Sequence, residues 1–538
     1  MLNKSTTKGK RRNRRRVMRL LGLAAVLAVC GAGPVVAQDV PVRTLELPPA
    51  QGNPRNSEGA FVTLRDGRIL FVYSHFTGGG GDHDSAHLAG RYSIDGGRTW
   101  TGEDRMIIKN EGGMNVMSAS LLRLQSGEIA LFYLLKNSER DCRPVMRLSS
   151  DEGATWGEPV MCVTDEVGYY VMNNDRAIQL KGGRLVVPVC LHTVKGSEKL
   201  DFQGMVMCYV SDDNGKTWRR GKSAQKGFNK AGRRITLQEP GVVELKDGRV
   251  MMFIRTNQGC QYLSFSEDGG DVWTPPAASD ITSPLSPASI KRLPSTGDLL
   301  LVWNDHTRIP PNMGNRRVPL STAISKDDGK TWQHAKALEG NPFGWYCYIA
   351  VHPMDDAVLL GYCAMKTLAH CRITRVPMSW LYADLSADKK REFKPVMFGS
   401  SPVGAFERLE TPNGVWTAEA GHAEIHVYMR GKGVRLMGGN DRAVIFTSPK
   451  PVPCGALAVY VERFTAGKPY EVVMEAKVGD AWQKVWSQGE DAQAGMVYGV
   501  ACETPELEAT HFRFRCTSAL GVIIQDFPMR DFGGFFND

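Results

Sequence analysis

Apolar residues in this chain fall into short runs, and the runs come in pairs. GAFVTLRDGRILFVY from Gly59, SASLLRLQSGEIALFYL from Ser118 and DRAIQLKGGRLVVPVCL from Asp175 each read as strand, tight turn, strand. So do PGVVELKDGRVMMFIR from Pro240, PASIKRLPSTGDLLLVW from Pro287 and CYIAVHPMDDAVLLGYC from Cys347. Two apolar runs hinged on Asp-Gly or an equivalent pair predict a β-hairpin. No long stretch of helical period separates the pairs, so the chain is expected to be all-β.

A second pattern is laid over the first. An S-x-D-x-G-x-T-W turn occurs at Ser93–Trp100, Ser149–Trp156, Ser211–Trp218 and Ser325–Trp332, and at Ser266–Trp273 with Val272 in place of Thr. In such a turn Ser and Asp bond the local backbone, Gly takes the left-handed conformation and Trp packs between strands. It is a folding device and carries no chemistry. Six hairpins, five followed by this turn every 55–62 residues, predict a six-bladed β-propeller over 38–385. The sixth unit lacks the turn, as expected if N-terminal chain completes the last blade.

After a charged linker, 386–400, the segments AEIHVYM, GVRLMGG, ALAVYVERF, YEVVMEA and HFRFRC alternate apolar and polar positions between Gly/Pro turns. They predict a C-terminal β-sandwich-like accessory domain over 401–538. Trp416 and Trp482 are its candidate sugar-stacking surfaces; a plain packing or spacer role is the competing expectation.

Charge and composition alter this picture only at the N-terminus. The formal net charge is +9, but nine Lys and Arg with no acid precede Gln38, and the remainder is balanced. The mature chain thus offers no electrostatic case for nucleic acid or a membrane surface. Residues 1–37, with a basic start, an apolar run from Leu20 to Val29 and small residues up to Ala37, read as a signal peptide, which implies a secreted or periplasmic protein. No later stretch is long and apolar enough to span a bilayer. The remaining eleven cysteines are scattered without a CxxC, so most are expected to be small buried residues, and neither a metal site nor a cofactor is expected.

In a propeller the same end of each inner strand faces one axis, so matching slots of the repeat converge. The slot eight or nine residues before the turn holds Glu58, Glu239 and Tyr346; the second strands and the loops after them supply Asp82, Arg255 and Arg317. Acids, arginines and a tyrosine around one axis make a polar pocket. Arg55 lies just before Glu58, and His83 and His87 stand beside Asp82.

On these residues the chain resembles the sialidase (exo-α-neuraminidase) superfamily. EPGVVELKDGR followed by Arg255 resembles that family's catalytic glutamate and the second arginine of its carboxylate-binding triad. RVPLSTAIS resembles the segment of the third arginine, at Arg317 or Arg316. WYCYIAV resembles the nucleophile segment, at Tyr346 or Tyr348. GGGGDHDSAHLAGRYS resembles the acid/base loop, at Asp82 or Asp84. The family's opening Arg-Ile-Pro is replaced by Pro54-Arg55-Asn56-Ser57-Glu58-Gly59, so the identity of the sugar stays open.

The resemblance implies a retaining exo-glycosidase. Arginines would grip the substrate carboxylate, Arg55 among them; Glu58 and His83, which depart from the family pattern, are expected as further binding residues. A neutral tyrosine, activated by Glu239, would attack where a carboxylate nucleophile would be repelled. Asp82 would serve as acid and then base. The partners implied are sialylated or other acidic glycans. The alternatives are a glycosidase for a related sugar acid such as Kdo or KDN, or a non-catalytic glycan-binding propeller. Oligomeric state is not legible.

Overall fold

In the computed structural model the paired runs form antiparallel sheets of mostly four strands. The described residues are 40–384, apart from 198–199, 308–315, 341–343 and 365–368. Beyond these they are 403–529, apart from 412–413, 429–430, 437–441, 454–455, 462–471, 489–496, 502–506 and 517–521. The expected signal peptide (1–37) and linker (386–400) lie outside them.

The first sheet is Arg55–Thr63, Ile69–Phe76, Ala86–Ser93 and Arg105–Ile108, paired in chain order. Two later sheets repeat it: Leu237–Glu244, Val250–Thr256, Cys260–Ser266 and Ala277–Thr282, then Ser289–Arg292, Leu299–Asn304, Leu320–Ser325 and Gln333–Glu339. The last, Cys347–Pro353, Ala357–Ala364 and His370–Pro377, takes its outer strand from the start of the chain, Val42–Leu47. Completion of the sixth unit by N-terminal chain is thus seen directly. The second and third units are not separate sheets. Gly168–Val171 pairs in parallel with Asp141–Ser149 and antiparallel with Leu185–Val194, fusing them.

This is a propeller-like all-β arrangement. The first inner strand, Arg55–Thr63, contacts both the second, Asn115–Arg123, and the last, Cys347–Pro353. Ser289–Arg292 contacts Leu237–Glu244 on one side and Cys347–Pro353 on the other. Sheets pack through apolar clusters such as Leu70, Val72, Leu121 and Leu131.

Each S-x-D-x-G turn is a closed hydrogen-bond device. At Ser211 the hydroxyl accepts from Gly215 N–H (2.8 Å) and donates to Asp213 Oδ1 (2.8 Å). Asp213 accepts from Thr217 N–H and Oγ1 at 2.9 and 2.6 Å, and these bonds hold its carboxyl down to about 2. The Ser–Asp and Ser–Gly bonds recur at Ser93, Ser149, Ser266 and Ser325.

A feature of the inner strands aims the site. In four of them the register breaks and one residue turns left-handed: Glu58 (φ 58°), Ser118 (60°), Glu239 (47°) and Tyr348 (56°). Asp175 (56°) holds the same conformation in the third unit. A β-bulge re-aims a side chain, and a left-handed non-glycine residue costs roughly 1–3 kcal/mol that surrounding structure must offset.

The C-terminal strands form two six-stranded antiparallel sheets, one built around Val522–Met529 and the other around Ala443–Pro453 and Glu508–Cys516. The expected stacking surface at Trp416 is corrected here. Its ring is fully buried, 5.0 Å from Phe446 and 5.7 Å from Phe514, because apolar neighbours on adjacent strands cover it. Trp482 is half-buried, with the Arg513 guanidinium 4.6 Å above its ring. Among the described residues no helix is long and apolar enough to cross a membrane. Truncating so large a buried ring removes core contacts, so Trp416→Ala is expected to cost about 3–5 kcal/mol in urea denaturation.

Candidate functional site

The site residues fall into two groups. The first belongs to the first two sheets. Arg55 donates from Nη1 to Asp82 Oδ1 (2.6 Å), from Nη2 to Glu58 Oε1 (2.8 Å) and from Nε to Ser57 Oγ (3.0 Å), and lies over the Phe76 ring at 4.6 Å. The left-handed backbone at Glu58 points its carboxylate inward, where Ser118 Oγ donates to the other oxygen. The loop carrying Asp82 is anchored from the second sheet: Lys136 Nζ and Asn115 Nδ2 donate to Asp82 O at 2.6 and 3.0 Å. Asp84 instead accepts from Gly81 N–H (2.8 Å), shaping the loop.

Burial pushes the Glu58 carboxyl up, and the Asp82 charge adds to this; Arg55 opposes both without overcoming them. For Asp82 burial also pushes upward, but the Arg55 charge and hydrogen bond outweigh it and leave the group below the usual carboxylate range.

The second group comes from the fourth, fifth and sixth units. Arg255 Nη1 donates to Glu239 Oε1 at 2.7 Å, and the Tyr348 hydroxyl donates to the same oxygen at 3.5 Å. The Arg317 guanidinium stands 5.3 Å from the Tyr348 ring and 5.2 Å from Trp345. Glu239 is pushed up by burial but held low by Arg255 and Arg317. Tyr348 is raised by burial and by the Glu239 charge, so its phenol is neutral. Glu239 Oε2, Arg255 Nε and Arg317 Nε and Nη1 are buried with no hydrogen-bond partner among the described residues. Buried polar atoms left in this state are costly, and at a site they mark where ligand atoms go.

Tyr346, expected in this position, is elsewhere. Its ring is fully buried in an apolar cluster beside Tyr362 at 6.3 Å, and its N–H donates to Arg317 O at 3.0 Å. Tyr348 is the tyrosine beside Glu239. The left-handed residue stands five positions before the last paired residue of the inner strand in each case: Glu58 and Thr63, Ser118 and Arg123, Glu239 and Glu244, Tyr348 and Pro353. The sixth turn closes from Met354 to Ala357, whereas the first closes from Leu64 to Arg68, so counting back from the far end of the turn lands one residue before the slot.

The two groups are joined along one side by aromatic rings. His83, which is exposed, meets Tyr169 edge-on at 6.2 Å, and Tyr169 meets His192 at 6.3 Å. Burial and the charges of Glu239 and Arg255 act on His192, with burial lowering it overall. His87 stacks instead on His75 at 4.5 Å. Below, Asn174 Nδ2 donates to Gly59 O (2.8 Å) and Tyr348 O (3.0 Å), spanning both groups. Sequence reasoning missed Lys136, Tyr169, His192, Asn174 and Arg176. Lys136 had a signal, a charged residue toward the end of a second strand as at Arg255; the others lie where the third unit departs from the repeat. Among the described residues no cluster of His, Cys, Asp and Glu suits a metal ion.

The model of the BNR repeat-like domain family matches residues 76–362. A sialidase of Micromonospora viridifaciens is 26% identical over 357 residues, covering 59% of this chain and 52% of the relative. An anhydrosialidase of Macrobdella decora is 24% identical over 209 residues, 36% of this chain and 25% of the relative. The chain therefore spans about half the length of the first of these curated relatives and a quarter of the second. A solved Hadza microbial sialidase superposes with a TM-score of 0.50 at 19% identity, over 61% of this chain and 67% of that one, a likeness of fold.

Removing one member of a buried ion pair strands the other charge. Arg55→Met is expected to cost about 3–5 kcal/mol at pH 8. The deficit should shrink toward pH 5, because Glu58, whose carboxyl is already raised, rises further without Arg55 and takes up a proton as pH falls. Urea denaturation at the two pH values measures both effects.

Proposed function

The chain belongs to the BNR-repeat family of the sialidase superfamily, and on that premise we propose that it is an exported retaining exo-glycosidase acting on terminal α-linked sugar acids. The observation that carries the reading is a neutral tyrosine hydroxyl on a buried carboxylate, Tyr348 on Glu239, flanked by two guanidiniums with open donors. The four-stranded sheets are read as a closed six-bladed propeller around this site, and the two C-terminal sheets as a β-sandwich.

Arg255 and Arg317 bind the carboxylate on the anomeric carbon and fix the ring. The Tyr348 oxygen attacks that carbon while its proton passes to Glu239, since an unassisted phenol is a poor nucleophile. Asp82 protonates the leaving oxygen, and the sugar is then bonded to Tyr348. In the second half Asp82 takes a proton from water, which attacks the same carbon and releases the tyrosine. In the free protein Asp82 is held ionised by Arg55, which an acid must not be. The Asp82 side chain is half exposed, and a bound sugar that covers it raises its pKa by desolvation, so the acid is armed by the substrate.

Arg55 also favours a second reading of the sugar. Engaged by Asp82 and Glu58 and nearly buried, it is less free to bind a carboxylate than Arg317 is. Kdo and KDN carry the same carboxylate on the anomeric carbon, which Arg255 and Arg317 alone would hold, so the second reading takes one of these 2-keto sugar acids as the substrate.

Tyr348→Phe and Glu239→Gln are expected to lower kcat by about 10²- to 10⁴-fold on a 4-methylumbelliferyl sialoside or the best member of a panel of acidic α-glycosides. Tyr346→Phe should stay within a few-fold of the parent. Full turnover by Tyr348→Phe, or loss confined to Tyr346→Phe, would overturn the assignment.

A further inference from the structure

We infer that Tyr169 and His83 form the wall against which the leaving group of the substrate lies, a neutral sugar packed by its apolar face; this rests on the hydrolase reading above. That reading puts the leaving oxygen at Asp82, and His83 is the next residue along the chain. The sugar acid itself is held by the other group, at Arg255 and Arg317. What lies beyond the leaving oxygen must pass the rings that stand beside Asp82.

Tyr169 stands there because the third unit departs from the repeat. Gly168–Val171 is an extra strand between the second and third hairpins, bridged to Asp141–Ser149 only through Tyr169 and Cys142 and paired with Leu185–Val194 on its other edge. Adjacent residues of a strand face opposite ways. Tyr170 is fully buried and meets Tyr209 edge-on at 6.1 Å, which leaves Tyr169 on the other face. The ladder to Leu185–Val194 shifts register between the two tyrosines, a break of the kind that re-aims a side chain.

Three contacts then fix the Tyr169 ring. His83 meets it edge-on at 6.2 Å. Lys136 Nζ lies 5.5 Å from its centroid and donates to Asp82 O at 2.6 Å, so one cation ties the ring to the backbone of the acid. His192 meets another edge at 6.3 Å, with its Nδ1 3.0 Å from Asp201 O. Tyr169 is half-buried and His83 exposed, so the wall keeps a free surface.

The surface is neutral where a ligand can reach it. Burial pushes the Tyr169 phenol up, so it keeps its proton. Lys136 is 2% exposed and spends its ammonium on Asp82 O and Met117 Sδ, so it offers no charge to a ligand. A pyranose presents C–H bonds on one face, which pack on the electron-rich face of an aromatic ring, while its hydroxyls lie at the rim within reach of imidazole nitrogens such as those of His83. The extra strand thus places a sugar platform beside the acid, at the point where the bond to be broken leaves the site.

The test uses the full-length protein and the sugar acid that the parent hydrolyses best, α-linked either to lactose or to methanol. Tyr169→Ala should lower the ratio of kcat/KM on the lactose-linked substrate to that on the methyl glycoside about tenfold, and Tyr169→Phe, which keeps the ring, should restore most of it. His83→Ala, an exposed change that stands in if Tyr169→Ala does not fold, should lower the same ratio about threefold. Equal losses on both substrates, or an unchanged ratio, overturn the inference. Calorimetry with a sulfur-linked, non-hydrolysable lactose conjugate separates it from the reading it rests on. The parent should bind that conjugate more tightly than the free sugar acid, and Tyr169→Ala should bind the two alike; equal binding by the parent overturns the inference. If the parent turns over nothing in the panel the hydrolase reading fails, and the calorimetry still decides whether the wall holds a neutral sugar.

Discussion

The site depends on one backbone constraint: four inner strands, and the segment leading into the third unit, turn left-handed at a single position. A regular strand would send alternate side chains to the two faces of its sheet, and none along the inner edge. The bulge breaks that alternation in four units and, with the left-handed Asp175 of a fifth, delivers Glu58, Ser118, Asp175, Glu239 and Tyr348. None of these is a glycine, so each conformation is held against its own preference by hydrogen bonding and packing nearby. Asn174 on the Tyr348 carbonyl and Ser74 Oγ accepting from the Ser118 N–H are examples. The S-x-D-x-G turns and the sheet-to-sheet clusters supply the rigidity against which the strain is borne.

Most of the architecture was legible because it is periodic. Hairpins, turns and the N-terminal strand of the last unit followed from spacing, and local chemistry produced them as expected. In the third unit the hairpin formed as expected, but its fusion to the second sheet was not legible, because Gly168–Val171 pairs in parallel across to that sheet and no local pattern announces a partner chosen by tertiary packing. Trp416 failed for a related reason. Alternation places a side chain on one face of a strand, but whether that face meets solvent depends on Phe446 and Phe514, from other strands.

The candidate site divides the same way. Glu239 and Arg255 were legible because they sit at opposite ends of one hairpin, so their meeting is a local fact. Asp82 and Arg55 meet at 2.6 Å across a glycine-rich loop whose path the sequence does not define. Of the two tyrosines the sequence offered, Tyr348 is the one beside Glu239; the sixth turn is one residue shorter than the first, whereas the distance to the end of the inner strand is constant. Asn174 and Arg176 were invisible, since their partners, Gly59 and Tyr348 for one and Ala288 and Ser289 for the other, come from distant units.

Charge then separates the halves of the site. Around Arg55 two cations, Arg55 and Lys136, face two carboxylates, Glu58 and Asp82, and the cations donate to acceptors in the same group. Around Tyr348 three guanidiniums, Arg176, Arg255 and Arg317, act on a single carboxylate, Glu239, and several of their donors have no partner among the described residues. In a low-dielectric setting such an imbalance is strongly felt. A carboxylate entering beside Arg255 and Arg317 relieves it, whereas a neutral sugar leaves those donors unsatisfied. On the proposed reading, discrimination for an acidic ring would come less from attraction at the surface than from the cost of leaving buried cations uncompensated.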